Sequence, residues 1–299
     1  MSLLNSFVKF RSGHLAGAAL ALAMALALLG GCTKNPDGPT VVVTPPAPEA
    51  PNSEARAYAD YSDLKWGDEF DAPVIDQTKW GFELGGGGWG NRELEFYTNS
   101  TDNAFINNGN LVIQAKQQSM GGMSYTSARM LTKGKQSFQF GRIDVRAKMP
   151  KGQGLWPAIW MMGSDIDTNN WPKCGEIDMM ELRGQQPNKF LTTMHFSKPD
   201  GSHELKGGPD QTLANGNFSD DFHVFSSVRS KNQIRFYLDG NLYYTFTNGD
   251  VGSNNYPFNN PFFMLLNVAV GGDFLGNPDA TTVFPQQMQV DYVRYYQYK

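Results

Sequence analysis

Short runs of alternating apolar and polar residues fill the chain from about residue 58 onward, and helical periodicity is almost absent there. The clearest runs are 110–116, 141–148, 233–238 and 289–296. Successive side chains of a strand point to opposite faces, so this alternation predicts strands with one buried face. The segment 265–270 is almost entirely apolar, which predicts a strand covered on both faces.

Turn-forming dipeptides separate these runs: Asn108-Gly109, Asp200-Gly201, Asp239-Gly240 and Asn248-Gly249. Such pairs are typical of hairpin turns. Many short strands with few helices predict an all-β fold, an antiparallel sandwich or barrel. No internal repeat is visible, which argues against a propeller.

One run, 154–160, combines two tryptophans with Pro157. Proline has no backbone N–H to give to a sheet ladder. We therefore predict that this run lies outside the middle of a regular strand.

The first 57 residues have a different pattern. Lys9 and Arg11 precede an apolar run, 15–29, that is too short for a comfortable membrane span and suits a secretory signal. The run closes with Leu-Gly-Gly before Cys32, which resembles a bacterial lipobox in which Cys32 becomes acylated. An ordinary signal peptide cut near Gly31 and an uncleaved anchor are the alternatives.

Residues 33–57 are rich in Pro, Glu, Ala and Asn, a composition typical of an extended spacer. The predicted organisation is a signal peptide (1–31), an acylated Cys32 with a linker (32–57) and one domain (58–299). The lipid chains on Cys32 would hold the protein stably to a membrane. Thr33 is not an obvious inner-membrane retention residue, so we expect an exported lipoprotein at the outer membrane or cell surface.

Composition narrows the class of partner. The formal net charge is −4, and the 25 Lys and Arg residues are scattered singly, which argues against nucleic-acid binding. No association surface is readable, so a monomer is expected. With Cys32 acylated, Cys174 has no disulfide partner and is interpreted as a buried packing residue.

Candidate chemistry lies in the run 174–184, where Glu176, Asp178 and Glu181 interrupt an apolar stretch. Asp178 shares a strand face with Glu176, but Glu181, five positions from Glu176, would point to the other face. A β-bulge at Met179-Met180 would return Glu181 to the face of the other two acids. Bulges are common beside active sites, so we predict one here.

With the bulge discounted, the two glutamates are about 13 Å apart along the backbone, and inward-leaning side chains bring their carboxyl groups to roughly 5 Å. A separation of about 5–5.5 Å is typical of a retaining glycosidase. Glu176 is then the nucleophile, Asp178 orients it, and Glu181 is the acid/base, with a pKa raised by two neighbouring anions. A calcium site and a solvated edge strand are the alternative interpretations, although calcium loops are usually flexible and polar.

Residues 175–181 resemble the catalytic strand of glycoside hydrolase family 16 in its bulged, laminarinase-like form. Other segments resemble the family in the same order: 68–71, 88–98, 125–129, 156–160, 171–172, 262–272, 276–279 and 284–296. The resemblance implies an antiparallel β-jelly-roll sandwich with a concave glycan-binding cleft. It also implies endo-hydrolysis of a β-1,3-glucan such as laminarin with retention, and no cofactor for the chemistry.

Enzymes acting on mixed-linkage glucan, agarose or carrageenan share this strand, so the polysaccharide stays open. A glycan-binding lipoprotein without turnover is a further alternative, although such relatives typically lose a catalytic glutamate.

The resemblance assigns further residues by position. Trp156, Trp160 and Trp171 resemble residues that stack on sugar rings, and Asn91, Arg129 and His195 resemble polar residues that line the cleft. A structural calcium on the opposite face would be held by Glu69, the Gly109 carbonyl and Asp291. Relatives commonly place tryptophan where this chain has Arg229 and Phe274, which predicts altered outer subsites.

Overall fold

The alternating runs form the strands of two stacked sheets in the computed structural model, which describes residues 52–299. In chain order the strands are β1 (Tyr61–Asp68), β2 (Gly81–Glu83), β3 (Glu95–Tyr97), β4 (Ala104–Asn107), β5 (Asn110–Ala115), β6 (Tyr125–Ser127), β7 (Arg129–Leu131), β8 (Gly141–Lys148), β9 (Leu155–Gly163), β10 (Glu176–Leu182), β11 (Lys189–Ser197), β12 (His203–Gly207), β13 (Gln211–Thr212), β14 (His223–Ser230), β15 (Gln233–Leu238), β16 (Asn241–Thr247), β17 (Phe262–Val270) and β18 (Gln286–Tyr298). Three short 3₁₀ segments accompany them: Tyr58–Asp60, Asn248–Val251 and Pro257–Asn259.

Each of the two sheets has eight strands, and neighbouring strands within each sheet pair in antiparallel fashion. Sheet A has the order β16-β15-β14-β8-β18-β5-β4, with β1 also paired to β18. Sheet B has the order β12-β11-β10-β9-β17-β7-β2, with β13 also paired to β11. A short parallel pair, β3 and β6, stands apart from both sheets. Two separate sheets around a shared core make a sandwich rather than a barrel.

The main core lies between the sheets and is built from the inward side chains of both. Ile143 and Val145 of sheet A and Ile177 and Phe190 of sheet B are among its buried members. All nine residues of β17 are buried, which confirms the strand covered on both faces that the apolar run predicts. Its alternate residues join the main core and a second apolar cluster on the other face of sheet B.

Pro157 corrects one expectation, because it lies inside β9, a central strand of sheet B. It pairs with Val268 of β17, whereas the pairing of β9 with β10 covers only Ala158 to Met162 and does not include Pro157. The proline therefore has a ladder partner on one side only. The prediction that the run 154–160 lies outside the middle of a regular strand was wrong, because a proline is tolerated where one of the two ladders has already ended.

The turn dipeptides behave in two ways. Asn108-Gly109 and Asp239-Gly240 join tight hairpins, with φ angles of 50° and 72° in the first and 50° and 77° in the second. Positive φ at both central residues favours Asn, Asp and Gly. Asn248-Gly249 instead begins a 3₁₀ segment.

The signal sequence, Cys32 and most of the predicted linker lie outside the described residues. The last linker residues that are described contact the domain: Asn52 donates to the Tyr298 carbonyl at 2.6 Å, and the Ser53 carbonyl accepts from the Lys231 amide at 2.7 Å. Ordered contacts therefore begin a few residues before the predicted boundary at 58. Within residues 52–299, no helix has the length and apolar character needed to cross a bilayer.

Candidate active site

The strand β10 carries the predicted bulge. Its pairing with β9 and β11 is in phase up to Asp178 and shifts before Met180 on one side and Glu181 on the other. Met179 and Met180 are consecutive, yet both are buried in the main core. Glu181 therefore returns to the face of Glu176 and Asp178, which confirms the bulge.

Both glutamates line one cleft of about 630 Å³ on the outer face of sheet B. Asp178 lies beneath them, 3% exposed, and borders a recess of about 60 Å³ together with both glutamates. The cleft is lined by Trp89, Gly90, Asn91, Arg129, Trp156, Trp160, Met162, Trp171, Glu176, Glu181, Thr193, His195, His203, Leu205 and Phe274. All nine residues predicted for catalysis and substrate binding thus meet in one place.

Glu176 is held by an indole. Trp171 donates its Nε1 hydrogen to Oε2 of Glu176 at 2.6 Å. Burial, and then the charge of Asp178, raises the pKa of Glu176 to about 8, while the charge of His195 and the indole hydrogen bond oppose this shift. This hydrogen bond fixes one oxygen of Glu176, and a hydrogen bond with Asp178 restricts the same carboxyl group further.

Glu181 has a matching support. Trp156 donates its Nε1 hydrogen to Oε1 of Glu181 at 3.1 Å. The pKa of Glu181 lies well above its usual value, first because of burial and then because of the charge of Asp178. The expected direction is correct, but neighbouring anions are not the largest cause. Loss of hydration on the floor of the cleft is the larger effect.

Asp178 links the nucleophile candidate to a histidine. Its Oδ2 lies 2.9 Å from Nε2 of His195, and one atom each of Glu176, Asp178 and His195 lies within 4.8 Å of the others. Burial raises the pKa of Asp178 to about 7, against a hydrogen bond to Glu176 that lowers it. Two carboxyl groups as close as those of Glu176 and Asp178 resist ionising together, so the pair can hold one proton and one negative charge at once.

The three tryptophans predicted to stack on sugar rings differ in their exposure to solvent. Trp171 is exposed and Trp156 half-buried, but Trp160 is buried and donates to Oδ1 of Asn267 at 2.7 Å. Arg129 covers the Trp160 ring at 4.7 Å and lies 4.8 Å from the ring of Trp89. Trp156 and Trp171 are therefore the more accessible of the three indoles for a sugar ring.

The polar residues of the cleft are held by neighbouring acids. Asn91 donates from Nδ2 to Oε1 of Glu93 at 2.9 Å, and Arg129 Nε lies 2.5 Å from Oε2 of Glu83. These contacts restrict both side chains at the cleft wall, so little ordering entropy is lost when they meet a ligand.

The two departures from the family pattern lie in different places. Phe274 lines the cleft, with its ring tilted on Trp156 at a centroid distance of 4.7 Å. Arg229 lies on β14 of sheet A, 1% exposed, and donates to the carbonyls of Phe138, Phe258 and Asn260. The expectation that Arg229 alters an outer subsite was wrong, because this residue is part of the interior.

The residues predicted to hold calcium do not fit that role as arranged. Both carboxylate oxygens of Glu69 accept hydrogen bonds from Arg294, at 2.8 and 2.7 Å. Asp291 Oδ2 lies 2.5 Å from Nη1 of Arg146. A cation would have to displace guanidinium groups from both acids.

Residues that were not predicted from the sequence also line the cleft, among them Trp89, Thr193, His203 and Leu205. Trp89 carried a usable signal, because it is an aromatic residue inside the glycine run 85–90. His203 and Leu205 carried no such signal, since they lie on a short edge strand that joins the site only by pairing with β11 in the folded structure. Cys174 is buried beside Met162, as its packing interpretation predicts.

Comparison with known proteins gives consistent matches. The family model described as "Glycosyl hydrolases family 16" matches residues 91–294. The beta-glucanase of Rhodothermus marinus is 39% identical over 260 residues, which cover 82% of this chain and 89% of that protein. The glucan endo-1,3-beta-glucosidase A1 of Niallia circulans is 39% identical over 256 residues, covering 78% of this chain but 37% of that longer relative.

A solved structure extends the match to the fold. The laminarinase catalytic domain from Thermotoga maritima MSB8 is 42% identical, with a TM-score of 0.73. The alignment covers 80% of this chain and 100% of that domain. The predicted all-β, antiparallel sandwich of the jelly-roll type is confirmed.

Proposed function

The chain belongs to the glycosyl hydrolases of family 16, and from this premise we propose that it is a retaining endo-β-1,3-glucanase acting on laminarin-type β-glucans. One observation carries the proposal. Glu176 and Glu181 line the same cleft, each held by an indole N–H, with Asp178 buried between them. All three acids are present, which argues against a protein that only binds glycan.

The first step follows from these positions. The Glu176 carboxylate attacks the anomeric carbon, and Glu181 transfers its proton to the departing glycosidic oxygen. The bond to the leaving sugar breaks as a covalent glycosyl-enzyme forms. The raised pKa of Glu181 keeps its proton available at neutral pH.

The second step reverses the roles. Glu181, now a carboxylate, removes a proton from water, which attacks the anomeric carbon and releases Glu176. Two displacements on one carbon return it to its original configuration. Asp178, through its contacts with Glu176 and His195, keeps the nucleophile oriented in both steps.

Glu176→Ala tests the nucleophile. We expect hydrolysis of laminarin to be lost while binding and folding persist, because only the attacking group is removed. Azide should rescue turnover of an activated β-glucoside and yield the inverted glycosyl azide, identified by NMR. Activity close to that of the unmodified enzyme would refute the assignment.

Release of reducing ends from laminarin, lichenan, agarose and carrageenan, measured side by side, tests the substrate. We expect laminarin to be cleaved fastest. Products from agarose or carrageenan alone would overturn the β-1,3-glucan assignment and leave the mechanism intact. Binding without product from any glycan would favour the non-catalytic alternative.

We also propose that the protein is exported and anchored to a membrane through acylated Cys32. The apolar run 15–29, which ends in Leu29 and is followed by Gly30, Gly31 and Cys32, supports this. Cys32→Ala should abolish incorporation of labelled palmitate and move the protein from the membrane fraction to the soluble exported fraction. Unchanged membrane association of the variant would contradict lipid anchoring.

A further inference from the structure

His203, at the start of the edge strand β12, contacts two side chains that each lie against a carboxyl group of the catalytic site. Its Nε2 lies 2.8 Å from Nδ1 of His195, whose Nε2 faces Asp178 at 2.9 Å. Its ring also packs on Trp171, with centroids 4.6 Å apart and planes at 38°. Trp171 is the indole that donates to Glu176. One exposed residue therefore contacts both the histidine and the tryptophan behind the nucleophile.

The geometry of the two imidazole rings limits the number of hydrogens that can lie between them. The rings are inclined by only 14°, with centroids 5.0 Å apart and the two nitrogens at 2.8 Å, so they meet edge to edge. A contact of this kind is an in-plane N–H···N bond, which has one hydrogen between the two nitrogens. The pair can therefore carry one positive charge, but a second would place two hydrogens face to face and break the contact.

The surrounding charges favour a neutral His203. Burial, and then the charge of His195, lowers the pKa of His203, with Lys198 adding slightly and Glu204 opposing. Lys198 and Glu204 are themselves paired at 3.4 Å. On the other side, Glu176, Asp178 and Glu181 of β10 face His195. His203 is thus the neutral partner of the pair, and its Nε2 accepts the Nδ1 hydrogen of His195.

We propose that His203 is a positioning residue for the hydrolysis proposed above: it fixes the edge of His195 so that Nε2 faces Asp178, and it stabilises the positive charge of His195 beside Glu176. The inference rests on the proposed function. His203 would thereby extend activity toward lower pH, because the His195 charge favours the ionised nucleophile.

The expected consequence has a definite sign. The charge of His195 lowers the pKa of both Glu176 and Glu181. Without an acceptor at Nδ1, charged His195 is less stable, so Glu176 ionises only at higher pH. The acid limb of the kcat/KM profile should therefore move to higher pH.

His203→Phe and His203→Gln, made in the full chain, separate the ring contact with Trp171 from the hydrogen bond with His195. Phe keeps an aromatic ring against Trp171 but cannot bond His195, whereas the Gln amide oxygen can accept the Nδ1 hydrogen. We expect Phe to move the acid limb on laminarin upward by about 0.5–1 pH unit and Gln to leave it near its original position. His223→Phe is the matched control, since His223 pairs with Asp239 outside the cleft.

A second measurement needs no turnover. The ¹⁵N resonances of the His195 ring should change in His203→Phe, where Nδ1 loses its partner, and should be retained in His203→Gln. Failure of the unmodified enzyme to hydrolyse laminarin would defeat the proposed function, while this measurement would still test the contact. Unchanged His195 resonances and an unchanged pH profile in the Phe variant would overturn the inference, as would an effect on KM alone at every pH.

Discussion

At the scale of single residues, the burial of three carboxyl groups on the cleft floor affects both their protonation and the stability of the fold. Burial is the first cause of the raised pKa of Glu176, Asp178 and Glu181. A carboxyl group whose folded pKa exceeds its unfolded value binds more protons in the folded state between the two values. The free energy of unfolding must then fall as pH rises through that window. The raised pKa that keeps the Glu181 proton available at neutral pH is therefore obtained at the expense of stability.

Glu176→Gln should reveal this cost. The pKa of Glu176 rises from an unfolded value near 4.5 to about 8, so the destabilisation develops between those two pH values. We expect the variant to match the unmodified protein at acidic pH and to be more stable by about 1–3 kcal/mol above pH 8. Urea unfolding at several pH values measures the difference.

An exposed glutamate provides the comparison for that series. Glu204→Gln removes a carboxylate that pairs with Lys198 at the surface and should not show a gain in stability that grows with pH. Equal stability of Glu176→Gln and the unmodified protein at alkaline pH would contradict the linkage argument.

At the scale of a single element, one extra residue in β10 decides whether the strand is catalytic. Met179 and Met180 both enter the core, and this break in alternation turns Glu181 to the cleft. In an unbroken strand Glu181 would point into the apolar interior, where an unpaired carboxylate costs several kcal/mol. Core packing and site geometry therefore favour the same bulge.

Insertion of one alanine between Met180 and Glu181 should abolish activity. The added residue would shift the alternation by one position, direct Glu181 toward the core and remove the acid/base from the cleft, so we expect no reducing ends from laminarin and a lowered Tm. Met180→Leu is the matched control, since it keeps the residue count and similar volume and should cost less than about 1.5 kcal/mol. An active insertion variant would contradict the role of the bulge in directing Glu181 to the cleft.

At the scale of the whole molecule, Arg229 of sheet A contacts two of the segments that cross between the sheets, the one from β7 to β8 and the one from β16 to β17. From β14 its guanidinium reaches the carbonyls of Phe138, Phe258 and Asn260, and it lies 4.6 Å from the Phe262 ring centroid. Burial lowers the pKa of Arg229 to about 10. Carbonyl oxygens thus compensate a buried charge that has no carboxylate partner among these contacts.

Arg229→Ala should destabilise the fold without weakening substrate binding. It leaves three carbonyls without their donor, which we expect to cost about 3–5 kcal/mol. At about 2–4 °C per kcal/mol, Tm should fall by roughly 6–20 °C. KM for laminarin at low temperature should stay unchanged, because Arg229 is not among the cleft residues.

Arg56→Ala, which removes a half-exposed arginine next to Glu54, is the control and should leave Tm nearly unchanged. A raised KM with an unchanged Tm in Arg229→Ala would restore the subsite interpretation.

The chain itself determined the features that depend on local pattern. Alternation located strands such as β8 and β15, Asn-Gly and Asp-Gly pairs located two hairpins, and the spacing of three acids required the bulge. These features follow from the two-residue period of a strand and from the φ angles that a turn demands, which operate over a few neighbouring residues.

Only the tertiary structure decided which distant residues meet. Pro157 is accepted in β9 because a neighbouring ladder stops beside it, and Arg229 is interior because β14 lies in the opposite sheet from the cleft. His203 reaches His195 only because β12 pairs with β11 at that register. Burial, ladder ends and contacts between strands are properties of the assembled sandwich, and no local run of residues contains them.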